Sequence, residues 1–298
     1  MILTIFTPAY NRAYTLNKCY ESLLRQTCKE FSWLIVDDGS TDNTRELVSK
    51  WIEDGKLNIK YIYQDNLGMH GAHNTAHQNI NTELCMCCDS DDYLADNAVE
   101  EILKLWETKR NDTGCSGIVG LDATESGKIR AQIPHNLSET TLYDLRYRYK
   151  LKGDVKLVYR TSLMQQEYYP IIPNEKYLAV GYKYFKLDND YKLAVLNKIL
   201  CYVEYLEDGG TKNKTRLYQK CPKGFMHYRI EMIRSSKDFK VKLRNAIHLV
   251  SSSIFAKETK KIHLIENKLV LLLALPFGAL LNLYIRYNNY KYKKMIQD

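Results

Sequence analysis

Three carboxylates stand within four residues at Asp89-Ser90-Asp91-Asp92, directly after the apolar run 84–88. Like charges packed this closely repel one another, so a strand end in a crevice suits them poorly unless a cation is present. Mg2+ and Mn2+ take oxygen ligands and are typically held by one or two carboxylates plus substrate phosphates. The other reading is an acidic turn in which Asp92 or Asp96 caps the next helix. A second acidic strand end, Asp37-Asp38-Gly39-Ser40, follows the apolar run 32–36. Polar side chains also gather at Thr7-Pro8-Ala9-Tyr10-Asn11-Arg12 and at 68–74, which carries His70, His73 and Asn74.

Bringing these groups to one surface takes a particular order of elements. The first 125 residues alternate as an α/β fold requires, with strands predicted at 2–7, 32–36, 58–63, 84–88 and 117–121. Between them the pattern predicts helices at 16–26, from an Asp42 cap through Trp51, at 70–80 and at 98–106. Short strands separated by helices of this length imply βαβ units and a mostly parallel sheet. Ligands of such sheets bind at the carboxyl ends of the strands. Those ends carry the loops 7–12, 37–40, 64–73 and 89–92, so four loops converge on one crevice. Past residue 150 the pattern is less regular: strands at 155–160 and 199–205, an irregular loop and helix over 170–187, and helices at 224–234, 241–255 and 262–285.

The composition, 45% hydrophobic and 26% charged with 14 Gly and 6 Pro, excludes collagen-like and wholly disordered chains. The formal net charge of +8 is unevenly spread. Residues 1–150 hold 16 Lys/Arg against 22 Asp/Glu, and residues 209–298 hold 19 against 5. A basic excess confined to the C-terminal region fits an attachment region better than a nucleic-acid-binding shell, and no nucleic-acid motif accompanies it. No secretory signal is legible and the eight cysteines lack zinc-ligand spacing, so a cytosolic protein with buried free thiols is expected. The uncharged run 269–285 contains Pro276 and Gly278 and is followed by Arg286, Lys291, Lys293 and Lys294 interleaved with tyrosines. Three readings fit it: a monotopic membrane-associated segment, a buried helix, or a span. Attachment to an anionic membrane surface is the working expectation.

The motifs together resemble glycosyltransferase family 2, nucleotide-sugar-dependent inverting enzymes of the GT-A fold. The resemblance runs from Thr7-Pro8-Ala9-Tyr10-Asn11-Arg12, through Val36-Asp37-Asp38-Gly39-Ser40-Thr41-Asp42, to an Asp-x-Asp element at Asp89 and Asp91. Gly68-Met69-His70-Gly71-Ala72-His73-Asn74 is similar to a segment of one branch, in which the position of Met69 is more often lysine. The resemblance implies a Rossmann-like sheet flanked by helices, with the nucleoside held by Thr7, Pro8, Tyr10, Arg12, Asp37 and Asp38. It implies that Asp91 binds Mn2+ or Mg2+ together with Asp89, that Asp89 and Ser90 lie beside the ribose or sugar, and that His70, His73 and Asn74 line the donor sugar. The metal would stabilise charge on the departing nucleoside diphosphate.

An inverting transfer also needs a general base for the acceptor hydroxyl. Glu175, in Asn174-Glu175-Lys176, matches the family's acceptor-side acid, and the branch usually continues with Pro-Glu where this chain has Ala179-Val180. Lys152-Gly153-Asp154 resembles another branch motif and makes Asp154 the second candidate. Asp208-Gly209-Gly210 is similar to a family turn near the acceptor. The expected organisation is a catalytic domain over 1–222, divided into a nucleotide-sugar half (1–125) and an acceptor half (126–222), and a helical basic region over 223–298. The expected partners are a nucleotide-sugar, a lipid-linked or polysaccharide acceptor and the inner face of the plasma membrane. The competing readings are a non-catalytic scaffold and a nucleotidyltransferase. The latter would want a Gly-rich phosphate loop after the first strand, which Thr7-Pro8-Ala9-Tyr10 is not.

Overall fold

The apolar runs of the first half form the inner strands of a sheet. In the computed structural model, which describes residues 1–203 and 214–297, the strands are β1 (Leu3–Ala9), β2 (Phe31–Asp37), β3 (Ile59–Tyr63), β4 (Leu84–Cys87), β5 (Tyr93–Leu94), β6 (Cys115–Ala123), β7 (Glu139–Thr140), β8 (Val155–Arg160) and β9 (Lys192–Tyr202). The intervening helices are α1 (Leu16–Leu24), α2 (Thr44–Asp54), α3 (Met69–Asn79), α4 (Ala98–Lys109) and the single turn α5 (Thr161–Met164). The strand order is β3-β2-β1-β4-β8-β6-β9-β5, with β7 on β9.

Pairing is parallel across β3-β2-β1-β4, so the ends of these four strands open on one edge. Beyond this part, β6 and β9 also pair parallel, but the expectation of a mostly parallel sheet does not extend to the remaining pairings. β8 enters antiparallel to both β4 and β6, and β5 and β7 pair antiparallel with β9. The sheet is therefore mixed. Its core is stacked aromatics and aliphatics: Trp33 and Trp51 lie 5.7 Å apart between ring centroids, and Tyr20 stacks on Trp51 at 4.3 Å. All eight cysteines are free thiols.

The chain separates into two compact units, Met1–Tyr169 with Asp190–Leu206, and Pro170–Asn189 with Glu207–Asp298. The second unit contains α6 (Gly181–Leu187), α7 (Lys214–Lys220), α8 (Pro222–Ser235), α9 (Phe239–Ala256), a 3-10 turn (Thr259–Leu264) and α10 (Lys268–Gln297). The loop and helix expected over 170–187 thus belong with the C-terminal helices. The single helix expected over 262–285 is broken near its start. Asn267 accepts hydrogen bonds from the Leu269 and Val270 N–H groups (3.0 and 3.1 Å), capping α10 anew after the 3-10 turn.

Within α10, Val270, Ala274, Gly278, Asn282, Ile285 and Asn289 are buried at helical spacing. This stripe packs on α9, where Val250 and Leu249 join a core with Met226 and Ile233 of α8. A Cβ on Gly278 would meet Val250 Cβ at 2.5 Å and the Ile247 carbonyl at 2.8 Å. The opposite face of α10 is exposed and apolar, with Leu269, Leu272, Phe277, Leu280 and Leu283 each more than half accessible. The close approach at Gly278 makes a prediction. Gly278→Val overpacks the contact and lowers stability by about 1–3 kcal/mol, read as a lower thermal midpoint, with Gly278→Ala falling between the two.

Candidate active site

The loops after β1 and β2 are stitched together by side chains bonding to backbone. Asn11, with φ of 52°, turns its amide oxygen toward the N–H groups of Thr41 (2.8 Å) and Asp42 (3.3 Å), while its own N–H donates to Ser40 Oγ (2.8 Å). A positive φ is costly for most side chains and tolerable for asparagine. Asp42 accepts from the Ala13 N–H and from both the N–H and hydroxyl of Thr44. Burial pushes the Asp42 carboxyl up, but these hydrogen bonds outweigh it and hold the group below the usual carboxylate range.

Asp37 and Asp38 are buried beneath this stitch. Asp37 accepts from the Ser40 N–H (2.7 Å) and from the Tyr61 hydroxyl (2.5 Å). Burial first, and then this bond to Asp37, raise the Tyr61 phenol well above its ordinary range. Asp38 spans the crevice to the next loop, accepting from Gln64 Nε2 (2.6 Å) and from the Leu67 and Gly68 N–H groups (both 2.8 Å). Both carboxylates therefore fasten loops, and any ligand contact must use their remaining lone pairs. Thr7, grouped by sequence with the ligand-facing residues, turns away. Its hydroxyl accepts from Trp33 Nε1 in the core (2.9 Å), because an inward position of β1 places it there. Pro8 is half-buried and Tyr10 exposed, while Arg12 donates to the Tyr14 hydroxyl (2.8 Å).

Gly68, at φ 82°, delivers the chain into α3. His70, His73 and Asn74 all lie on its buried side. His73 packs edge-on against Phe6 of β1, with ring centroids 5.0 Å apart, and its Nε2 lies 3.8 Å from Cys87 Sγ. Asn74 clamps the backbone of Tyr169, donating to its carbonyl and accepting from its N–H, both at 2.8 Å.

At the end of β4 the acidic turn is closed by the Asp92 N–H donating to the Asp89 carbonyl (3.0 Å). Neither aspartate expected to cap α4 does so. That helix starts after Asn97, Asp96 pairs with Arg25 (3.0 Å), and Asp92 is buried. Ser90 is buried as well, while Asp89 and Asp91 are half-buried. Asp92 faces Lys156 of β8 at 3.5 Å, and Asp122 of β6 lies 4.0 Å from the same ammonium. Burial, with added repulsion from Asp89, Asp91 and Asp122, lifts the Asp92 carboxyl to about 8 despite Lys156, and burial lifts Asp122 to about 6. Burial also acts against the charge on Lys156, but the acidic neighbours outweigh it and keep the ammonium protonated.

Among the described residues, no three His, Cys, Asp or Glu side chains converge as a complete cation cage. Asp89 and Asp91 supply two carboxylate donors at one strand end. That donor set fits an ion that completes its shell with phosphate oxygens and water, as Mg2+ and Mn2+ do.

The two candidate bases differ in setting. Asp154 is exposed, its carboxylate 3.5 Å from Arg146, at the start of β8. Because β8 runs antiparallel to β4, its start lies at the same sheet edge as the end of β4. The preceding Gly153, at φ 100°, presses so closely on the Arg130 carbonyl that a Cβ would sit 2.3 Å from it. Glu175, in the other unit, is buried and spends both oxygens on the N–H groups of Lys223 (3.0 Å) and Gly224 (2.8 Å) at the start of α8. It thus caps the first turn of that helix from a distant loop, where the N-cap residue Cys221 makes no side-chain capping bond. Asp208, Gly209 and Gly210 lie outside the described residues.

Asn11, Tyr61, Gln64, Asp122 and Lys156 were not singled out by sequence reasoning. For Lys156 a signal existed: in Val155–Arg160 it shares a face with buried Val158, an apolar-side position occupied by a lysine. The three donors on Asp38 give a test. Asp38→Asn must turn an amide NH2 toward at least one of them, costing about 1–3 kcal/mol of stability and accelerating hydrogen exchange at the Leu67 and Gly68 amides.

The Glycosyl transferase family 2 model matches residues 4–169, more than half of the chain. The glycosyltransferase GlyA of Streptococcus pneumoniae serotype 4 is 35% identical over 102 residues, covering 34% of this chain and 14% of that protein. The chain thus matches well under two thirds of the length of such curated relatives. In structure it is similar to S. aureus TarS 1–349 in complex with UDP-GlcNAc, with a TM-score of 0.59 and 21% identity over 88% of this chain and 72% of that one. It is also similar to the mannosyltransferase PcManGT from Pyrobaculum calidifontis in complex with GDP-Man and Mn2+, with a TM-score of 0.57 and 16% identity over 95% of this chain and 87% of that one. At such identities the structural likeness is one of fold, and the family rests on the match to 4–169. The chain belongs to glycosyl transferase family 2, built on a GT-A-like fold.

Proposed function

We propose that the chain moves a hexose-type sugar from a UDP-sugar to a lipid-linked or polysaccharide acceptor, with inversion and with a divalent cation, in cell-surface glycan synthesis. The observation that carries this reading is the meeting, at one sheet edge, of the β1 and β2 loops with the Asp89–Asp91 pair at the end of β4. The stitched loops, with Tyr10, Arg12 and the spare lone pairs of Asp37 and Asp38, supply a floor for a nucleoside. Asp91 and Asp89 would hold Mn2+ or Mg2+, which supplies charge stabilisation for the departing diphosphate. Ser90, His70, His73 and Asn74 shape the wall beside the donor sugar.

Asp154 is the better-supported base: it is exposed and stands at the start of β8, on the sheet edge where β4 ends. Glu175 serves the helical unit as a cap. A panel of nucleotide-sugars assayed for Mn2+-dependent release of nucleoside diphosphate tests the activity. Wild type is expected to turn over one UDP-sugar and Asp91→Ala none. In the same assay Asp154→Asn is expected to lose about 10²–10⁴ in kcat, and Glu175→Gln to lose stability rather than turnover. Near-normal kcat in Asp154→Asn would sink the base assignment.

The apolar outer face of α10 supports peripheral attachment to the cytosolic leaflet. The 18-residue apolar window within Lys268–Tyr292 has a mean hydropathy of 1.9 and is 28% buried, and Arg286, Lys291 and Lys294 lie in the C-terminal part of α10. Apolar area beside cations suits an anionic interface. Full-length protein is expected to sediment with vesicles containing phosphatidylglycerol, and a chain lacking 262–298 to remain in the supernatant. Equal sedimentation of the two would remove the membrane from the proposal.

A further inference from the structure

The sheet edge continues past the acidic turn into a hollow that the proposed nucleoside floor does not use. β8 runs antiparallel to β4 and to β6, and β9 runs parallel to β6, so the ends of β6 and β9 lie on the same edge as the end of β4. The acidic turn carries the chain along that edge from β4 to β5, which pairs with the end of β9. There Leu94 faces Cys201 and Tyr93 faces Tyr202 in register. Leu94 and Cys201 are fully buried, while the two tyrosines take the alternate positions, half-buried, with ring centroids 5.1 Å apart and planes at 21°. A cavity of about 580 Å3 opens beside this pair, within the size range of small-molecule sites. Glu125 and Ser126 line it from the hairpin that follows β6, which closes through the Thr124 N–H on the Lys128 carbonyl (2.9 Å). Asp96 and Asn97, just before α4, complete the lining. Arg25 holds Asp96 (3.0 Å), whereas Asn97 makes no side-chain capping bond to α4 and Glu125 is exposed, so an amide and a carboxylate are available to a ligand.

We infer that this cavity is a subsite for a pyranose ring of the acceptor, which is therefore a glycan where the chain reads it. Assigning the ring to the acceptor rests on the transferase reading. A pyranose has a face of C–H groups that packs on an aromatic ring and a rim of hydroxyls that donate to carboxylates and amides. The tyrosine pair offers the first, and Glu125 with Asn97 the second. Position selects acceptor over donor. The β1 and β2 loops proposed to hold the nucleoside lie on one side of the acidic turn, and the cavity lies at its other end, beside β5 and β9. Asp154, the proposed base, starts β8 between them in the strand order, and the neighbouring Gly153 packs on the Arg130 carbonyl just past the same hairpin. A bare lipid phosphate has no ring face to stack there.

The test is saturation-transfer difference NMR on full-length protein with UDP present. The probes, each at millimolar concentration, are methyl β-glucoside, methyl β-galactoside, methyl β-N-acetylglucosaminide and methyl α-mannoside. At least one glycoside is expected to be saturated, most strongly at the ring protons of one face. Tyr93→Leu and Tyr202→Leu keep apolar bulk but lose the flat face, and each is expected to cut the signal about fivefold or more, with Tyr202→Phe within about twofold of wild type. Glu125→Ala, on an exposed hairpin, is expected to weaken binding about threefold and reports even where a leucine variant does not fold. Silence from every glycoside on wild type overturns the assignment. So does an undiminished signal in Glu125→Ala and in every folded leucine variant, the result that a glycoside seated in the donor-sugar site would give. A wild type inactive across the nucleotide-sugar panel that still saturates a glycoside through the tyrosine pair overturns the transferase reading, and the acceptor role with it, but not the sugar site.

Discussion

Mutual repulsion among carboxylates at one edge of a sheet is the constraint around which the catalytic unit is built. Parallel strands deliver Asp37, Asp38, Asp89, Asp91 and Asp92 to the same edge, and β6 adds Asp122. Each is answered differently. Asp38 is met by backbone N–H groups and an amide, Asp37 by a hydroxyl and an N–H, and Asp92 and Asp122 by a buried ammonium. The energetic logic is common to all: a desolvated carboxylate persists only where donors or positive charge replace the water it lost.

The first half of the chain was highly legible. Continuous apolar runs, ending at a proline-bearing loop for β1 and at acidic turns for β2 and β4, mark these strands within a few residues of their observed bounds, because buried parallel strands carry a strong, simple signal. Strand direction is not written in that signal. The run at Val155–Arg160 was found at its observed bounds, but nothing in its residue types says that it runs against β4 and β6. The beginning of β9 was missed for a related reason: Lys192, Asn197 and Lys198 interrupt its apolar residues, and pairing with β6 through register shifts overrides that local polarity.

For the site, motif spacing located the loops but not the side-chain directions within them. Thr7 and Asp37 belong to the same motif-bearing edge, yet one bonds to a core tryptophan and the other to a turn. Glu175 shows the limit most clearly. Its partners lie 48 and 49 residues further along the chain, at a helix start, and no local pattern links an acid in one loop to N–H groups that distant. Asn267 is the contrary case, since an asparagine just before an apolar helical run is a readable start signal that would have placed the first turn of α10 correctly.

The way α10 is fastened has a consequence for how its surface can change over time. Beside its apolar packing, its inner stripe is held by a close approach and by amide hydrogen bonds: Gly278 against Val250, the Asn282 amide donating to the Ser251 carbonyl, and the Asn289 amide donating to the Thr215 carbonyl and to Gln219. Amide-to-carbonyl bonds at two points along one helix fix its rotation about its own axis. The outward leucines and tyrosines are thereby relieved of any part in orienting the helix. They form a face whose composition can drift, residue by residue, toward whatever surface the protein meets, while the same side continues to point outward.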